Sequence, residues 1–187
     1  DHYRRHSRRR VQRRAFCLLC RATTENAVKI HISVARQLLT VFDDAGVLLR
    51  EYSVSTGKAG VGEMFGSFQT PRGRHRIRAK IGAGAPENTI FVRRRPTGEI
   101  WSADHDRNHP GRDWILTRIL WLSGCEVGRN CLGKVDTMRR FIYIHGSPER
   151  AEMGRPGSHG CIRMRNADII ELFDLVPVYS VVEITED

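Results

Sequence analysis

A cysteine attacks as its thiolate, and an ordinary thiol is only a few per cent ionised at neutral pH, so a working cysteine needs a base or a cation beside it. Cys161 stands in a passage that offers both: Ser158-His159-Gly160-Cys161-Ile162-Arg163-Met164. One histidine, His159, lies two positions before it, and a second, His145, lies sixteen positions before it in His145-Gly146-Ser147. His145 ends the alternating apolar run Phe141-Ile142-Tyr143-Ile144, which places it at the tip of a strand from which a loop must return to bring Cys161 alongside. On residue type alone, either histidine can serve as the base. Gly160 leaves room for a substrate carbonyl beside the backbone, and the N–H groups of residues 159–161 are candidate donors to a developing oxyanion. Arg155, Arg163 and Arg165 flank the nucleophile, and a guanidinium can hold a substrate carboxylate by a forked ion pair. Arg163 is the candidate for that role.

The order His, loop, Ser-His-Gly-Cys, apolar residue, Arg resembles the YkuD-domain L,D-transpeptidases, which remodel bacterial peptidoglycan. Further landmarks stand in the family's order: Ser55-Thr56-Gly57, then Thr70-Pro71-Arg72-Gly73, then His145-Gly146. The resemblance covers residues 27–187 as one catalytic domain and leaves out residues 1–26. It departs at His75, where these proteins usually carry an aromatic residue. The resemblance implies that Cys161 is the nucleophile and His145 the acid/base, oriented by the Gly146 carbonyl. Ser158, His159 and Gly160 would support the loop and the oxyanion. It implies neither a metal nor a cofactor. The implied substrate is a peptidoglycan stem tetrapeptide: the thiol attacks the carbonyl at the L-centre of the diamino acid, D-alanine leaves, and an acyl-enzyme remains. An amine acceptor then gives a cross-link, whereas water gives an L,D-carboxypeptidase of the kind used in cytoplasmic peptidoglycan recycling. Carbapenems acylate the active cysteine of this family, so the resemblance also implies an adduct on Cys161. A non-catalytic wall- or nucleic-acid-binding module is a third reading, and the presence of both Cys161 and His145 argues against it.

Composition fits one globular domain: 187 residues, 40% of them apolar and 28% charged, suit a single core. The net charge of +10 is uneven, because residues 1–26 carry eight arginines against Asp1 and Glu25. That segment reads as a basic, disordered arm or leader, with binding to nucleic acid or anionic lipid as the lesser alternative. The apolar stretch Ala15 to Cys20 is too short for a signal peptide, and no run reaches the ~18 residues of a membrane-spanning helix. The family resemblance implies the periplasm or cell envelope, and the missing signal points to the cytoplasm. Oligomeric state is not legible. Five cysteines are an odd number, so at least one is unpaired, and Cys161 is the candidate. Cys17/Cys20, spaced C-x-x-C, and Cys125/Cys131 would suit four zinc ligands or two disulfides, but the first pair lies in the arm outside the domain, the second spacing is longer than a usual zinc knuckle, and the pairs are expected as thiols, favouring a reducing compartment.

To position the two candidate catalytic residues, the domain is expected to be mainly β. Strands are predicted at 28–34, 37–42, 47–54, 75–81, 90–92, 141–144 and 178–184. One substantial helix should follow the nucleophile loop, with Asn166 as N-cap, Asp168 in its first turn, an apolar stripe Ile169, Leu172, Phe173, Val176, and Pro177 as terminator. The resemblance implies a β-sandwich-like fold for these elements. The segment from Trp101 to Gly124, with three tryptophans, is read as a lid over the substrate. Its Asp104, His105, Asp106 and His109 look like metal ligands but match no standard spacing.

Overall fold

Residues 144, 162 and 164 are apolar and residues 143, 145, 161 and 163 carry functional groups, so two short strands laid side by side separate a buried face from a chemical one. The computed structural model, which describes residues 28–187, has this arrangement. The expectations for residues 1–26, with Cys17 and Cys20, lie outside the described residues.

The chain runs β1 (Lys29–Ser33), β2 (Leu38–Phe42), β3 (Leu48–Ser53), β4 (Gly73–Ile81), β5 (Thr89–Val92), β6 (Arg95–Ile100), α1 (Ala103–Asn108), β7 (Leu116–Gly124), β8 (Tyr143–Gly146), β9 (Ile162–Met164), α2 (Asn166–Leu175) and β10 (Val181–Thr185). The strands form one curled sheet in the order β3-β2-β1-β10-β4-β7-β5-β6, and β8 branches from β7 to pair with β9. The domain is mainly β with one substantial helix, as expected. Ile30, Ile32, Leu39, Val41, Ile77 and Leu122 bury one face of the sheet against Ile169, Leu172 and Phe173 of α2.

Parallel strands β8 and β9 pair Ile144 with Ile162 and His145 with Arg163. Ile144, Ile162 and Met164 are fully buried in the main core. Burial of each such side chain contributes about 2 kcal/mol. A one-residue slip would drive His145 and Cys161 into that core, so hydrophobic burial fixes the register that the chemistry needs.

Three sequence expectations change. Leu116–Gly124, expected within a lid, is β7, a strand that pairs with β4, β5 and β8. Its nearly continuous apolar run reflects burial on both faces rather than helix or loop. Trp121 therefore belongs to the sheet, while Trp114 packs on Ile90 and Leu116 and donates from Nε1 to Asp106 at 2.7 Å. Asp106 also takes Arg150, so it is committed to pinning α1.

The helix N-cap is Arg165, not Asn166. Asn166 is instead buried, accepting from Thr117 Oγ1 at 2.7 Å and donating to Asn88 Oδ1 at 2.7 Å. Those bonds tie the helix start to the strand behind Gly146. Cys125 is disulfide-bonded, so the expectation of unpaired thiols fails there and gives no argument for a reducing compartment. Cys161 is a free thiol.

His75, where the family resemblance leads one to expect an aromatic residue, is fully buried. Its Nδ1–H donates to the Gly73 carbonyl at 2.9 Å, and Nε2 accepts from Thr137 Oγ1 at 3.0 Å. Burial pushes its pKa down to about 4, so a neutral planar ring fills an aromatic's place and meets its own polar demands. Among the described residues no helix is long and apolar enough to cross a membrane.

Candidate active site

The landmarks that are scattered along the sequence converge on the loop that carries Cys161. Thr70 Oγ1 accepts from the Gly57 N–H at 2.9 Å and donates to the Gly160 carbonyl at 3.0 Å. The Ser158 N–H donates to Thr56 O at 2.9 Å, and Ser55 exchanges backbone hydrogen bonds with Arg163. Thus Ser55-Thr56-Gly57 and Thr70 form a cradle for residues 158–163. Ser158 knots the loop from inside: its Oγ donates to the Cys161 carbonyl at 2.5 Å and accepts from the Gly160 N–H at 3.1 Å. Gly160 has φ +118°, and a Cβ there would lie 3.0 Å from Gln69 O, so both conformation and contact require glycine.

His145 is fully buried at the end of β8. The Gly146 carbonyl can only accept, so the 2.7 Å contact assigns the proton to His145 Nδ1 and leaves Nε2 as a bare acceptor. Nε2 has no hydrogen-bond partner among the described residues. Gly146 has no room for a side chain, because a Cβ would meet Leu116 O at 2.7 Å and the Asn166 carboxamide. Cys161 lies on the same face of the β8–β9 pair, with its Sγ accepting from the Tyr143 N–H at 3.4 Å and facing the Phe141 carbonyl at 3.5 Å. His145 and Cys161 also feel the same charges, those of Asp113 and Arg163.

Asp113 is the residue that sequence reasoning missed. It lies in the connection between α1 and β7, and its Oδ1 accepts from Arg163 Nε at 2.9 Å and Nη2 at 2.7 Å. Its Oδ2 accepts from the His159 N–H at 3.2 Å. The forked pair expected between Arg163 and a substrate is therefore made with the protein's own carboxylate. Two of the three expected oxyanion donors, the N–H groups of His159 and Gly160, are likewise committed, leaving that of Cys161. The His159 ring is exposed and edge-on to Phe68 at 5.7 Å between centroids. Arg155 pairs with Glu152 on the surface, and Arg165 starts α2.

A fully buried histidine preceding a glycine that cannot be substituted, beside a cysteine on a pinned loop, is the constellation against which known proteins can be compared. The L,D-transpeptidase catalytic domain, YkuD, matches residues 27–184. The chain belongs to this family. YqjB of Bacillus subtilis (strain 168), described as an L,D-transpeptidase, is 42% identical over 136 residues, covering 73% of this chain and 59% of that protein. This chain thus spans less than two thirds of that relative's length. Among solved structures, L,D-transpeptidase 3 from Mycobacterium tuberculosis matches with TM-score 0.53 at 17% identity over 86% of this chain and 62% of that one. The L,D-transpeptidase LdtMt1 in complex with imipenem matches with TM-score 0.52 at 20% identity, over 86% and 59% of the two chains. These two likenesses establish the fold.

In this L,D-transpeptidase domain the resting thiol is neutral. Burial pushes Cys161 up to about 12, with Asp113 adding to the rise and the Tyr143 N–H, Arg163 and Arg140 opposing it. Burial pushes His145 down, only partly offset by Asp113 and the Gly146 bond. The two groups therefore rest as thiol and imidazole rather than as an ion pair. Alkylation of Cys161 by iodoacetamide should rise about tenfold per pH unit from 7 to 10, following the small thiolate fraction. A plateau already reached at neutral pH would mean a preformed thiolate. A separate cavity of about 410 Å³, lined by Arg76, Arg78, Asp136 and Tyr179 among others, includes neither Cys161 nor His145.

Proposed function

We propose that this domain is a cysteine acyltransferase acting on peptidoglycan stem tetrapeptides. The observation that carries the reading is the buried, unpartnered Nε2 of His145 on the face of the β8–β9 pair that presents Cys161. An orphan acceptor in the interior is costly, by about 1–3 kcal/mol, and such a group persists where a function uses it. Family membership supports the choice of substrate class.

In the proposed reaction Sγ attacks the carbonyl at the L-centre of the third residue while Nε2 takes the thiol proton, which suits a thiol too weakly acidic to ionise first. The Cys161 N–H faces the developing oxyanion. Collapse of the tetrahedral intermediate breaks the C–N bond, and His145 returns its proton to the nitrogen of departing D-alanine. The acyl-enzyme then passes its acyl group to an incoming amine, whose proton His145 accepts. With water as acceptor the same groups yield a tripeptide and the domain acts as an L,D-carboxypeptidase.

Incubation with a disaccharide-tetrapeptide, followed by mass spectrometry of the products, tests the reading and separates its two outcomes. Cys161-dependent D-alanine release with dimer formation is the expected result, and tripeptide without dimer would assign water as the acceptor. Product that persists in Cys161→Ala, or no product at all, would overturn the proposal.

A further inference from the structure

An enzyme that expels a terminal residue must distinguish a free chain end from a chain that continues, and the simplest mark of an end is its carboxylate. We propose, building on the cysteine acyltransferase reading above, that Arg94 binds the terminal carboxylate of the leaving D-alanine. The charges of Arg163 and Arg140 reach Cys161, and a third guanidinium, that of Arg94, is bound to Tyr143, whose backbone N–H meets the sulfur. Arg163 is bound to Asp113. Arg140 is spent on the carbonyls of Gly62 and Gln69 and on Ser67 Oγ. Arg94 alone of the three has, among the described residues, a single hydrogen bond, from Nη1 to Tyr143 Oη at 2.9 Å, and no carboxylate partner. Its remaining N–H groups are available to donate to a carboxylate in a forked ion pair.

The residues that hold Arg94 are those that hold the thiol. Its guanidinium carbon sits 4.5 Å from the Trp121 ring centroid and 4.8 Å from that of Phe141, a cation over two aromatic faces. Phe141 also offers its carbonyl to Cys161 Sγ, and Tyr143, which takes the Arg94 bond, donates its N–H to the same sulfur. The guanidinium is therefore one side chain away from the reacting atom, and the wall on which it rests is open to solvent, Phe141 being 49% exposed.

The backbone is strained to place it there. Arg93 and Arg94 are the two turn residues between paired Val92 and Arg95, with φ +49° and +66°, in a hairpin geometry that ordinarily selects asparagine and glycine. Two bulky residues in left-handed conformation mark a position where side chain counts more than turn preference.

The test compares stem tetrapeptides ending in D-alanine acid and in D-alanine carboxamide, with kcat/KM measured on wild type, Arg94→Asn, Arg94→Lys and Cys161→Ala. Asparagine suits the left-handed turn, so the hairpin is kept, and any loss of folded protein lowers both substrates equally and leaves their ratio untouched. Wild type should prefer the acid by about tenfold or more, as a charge-assisted hydrogen bond would give. That preference should collapse toward one in Arg94→Asn and return in part in Arg94→Lys. Equal rates on both stems in wild type, or a preference unchanged in Arg94→Asn, would overturn the assignment of Arg94. Absence of Cys161-dependent turnover on either stem would overturn the acyltransferase reading on which it rests.

Discussion

Replacing His145 with glutamine should lower the rate of acylation of Cys161 by about 10²–10⁴, the usual span for a positioned general base. The reason lies in the resting state of the pair. With the thiol pushed up to about 12, the sulfur acquires useful nucleophilicity only if its proton is taken during attack, and the unpartnered Nε2 of His145 is the acceptor on that face. The same argument fixes the pH dependence. Burial holds the imidazole below its ordinary 6.5, so the active neutral form persists under mildly acidic conditions and is lost only as pH falls through that lowered value. The acid limb of kcat/KM should therefore lie below pH 6.5 in wild type and vanish in His145→Gln. Stopped-flow acylation across pH checks both. A variant within tenfold of wild type, with the acid limb intact, would move the base elsewhere, His159 being the remaining candidate.

The second large effect concerns Asp113. Asp113→Ala should destabilise the domain by about 3 kcal/mol, because it strands the Arg163 guanidinium in a site where the two side chains are only 17% and 16% exposed. The loop also loses the anchor on the His159 N–H, so activity should fall with stability. Urea denaturation measures the first and tetrapeptide turnover the second. Removing the stranded charge with Arg163→Met in the Asp113→Ala background should recover much of the stability, and the resulting double-mutant cycle isolates the pair. Independent, additive losses in that cycle would mean that the ion pair does not hold the loop.

The proposed catalytic pair could be nominated from the sequence because its parts are local. Ser-His-Gly-Cys is a contiguous run, and the alternation Phe141 to Ile144 places His145 at a strand end without any knowledge of the sheet. The remote landmarks Ser55-Thr56-Gly57 and Thr70 were legible as motifs but not as parts. Only the fold shows that they cradle the Cys161 loop through backbone and hydroxyl bonds. Asp113 carried no signal. It meets Arg163 across 50 positions from a connection without periodicity, and neighbouring acidic and histidine residues drew the eye toward metal chemistry. β7 was misread for a physical reason: a strand covered on both faces loses the alternation by which half-buried strands are recognised, and its tryptophan looked like part of a lid. Asn166 likewise has the side chain of a helix cap, yet tertiary packing turns that side chain toward Thr117 and Asn88.

The central claim is that Cys161 becomes covalently acylated with His145 as its base, and intact-protein mass spectrometry after incubation with a carbapenem tests it most directly. Imipenem is a suitable carbapenem for this test. The account predicts one added mass equal to the β-lactam, mapped by proteolysis to the peptide containing Cys161, absent in Cys161→Ala and slow to form in His145→Gln. An adduct on another residue, or none on a folded wild-type protein, would contradict it.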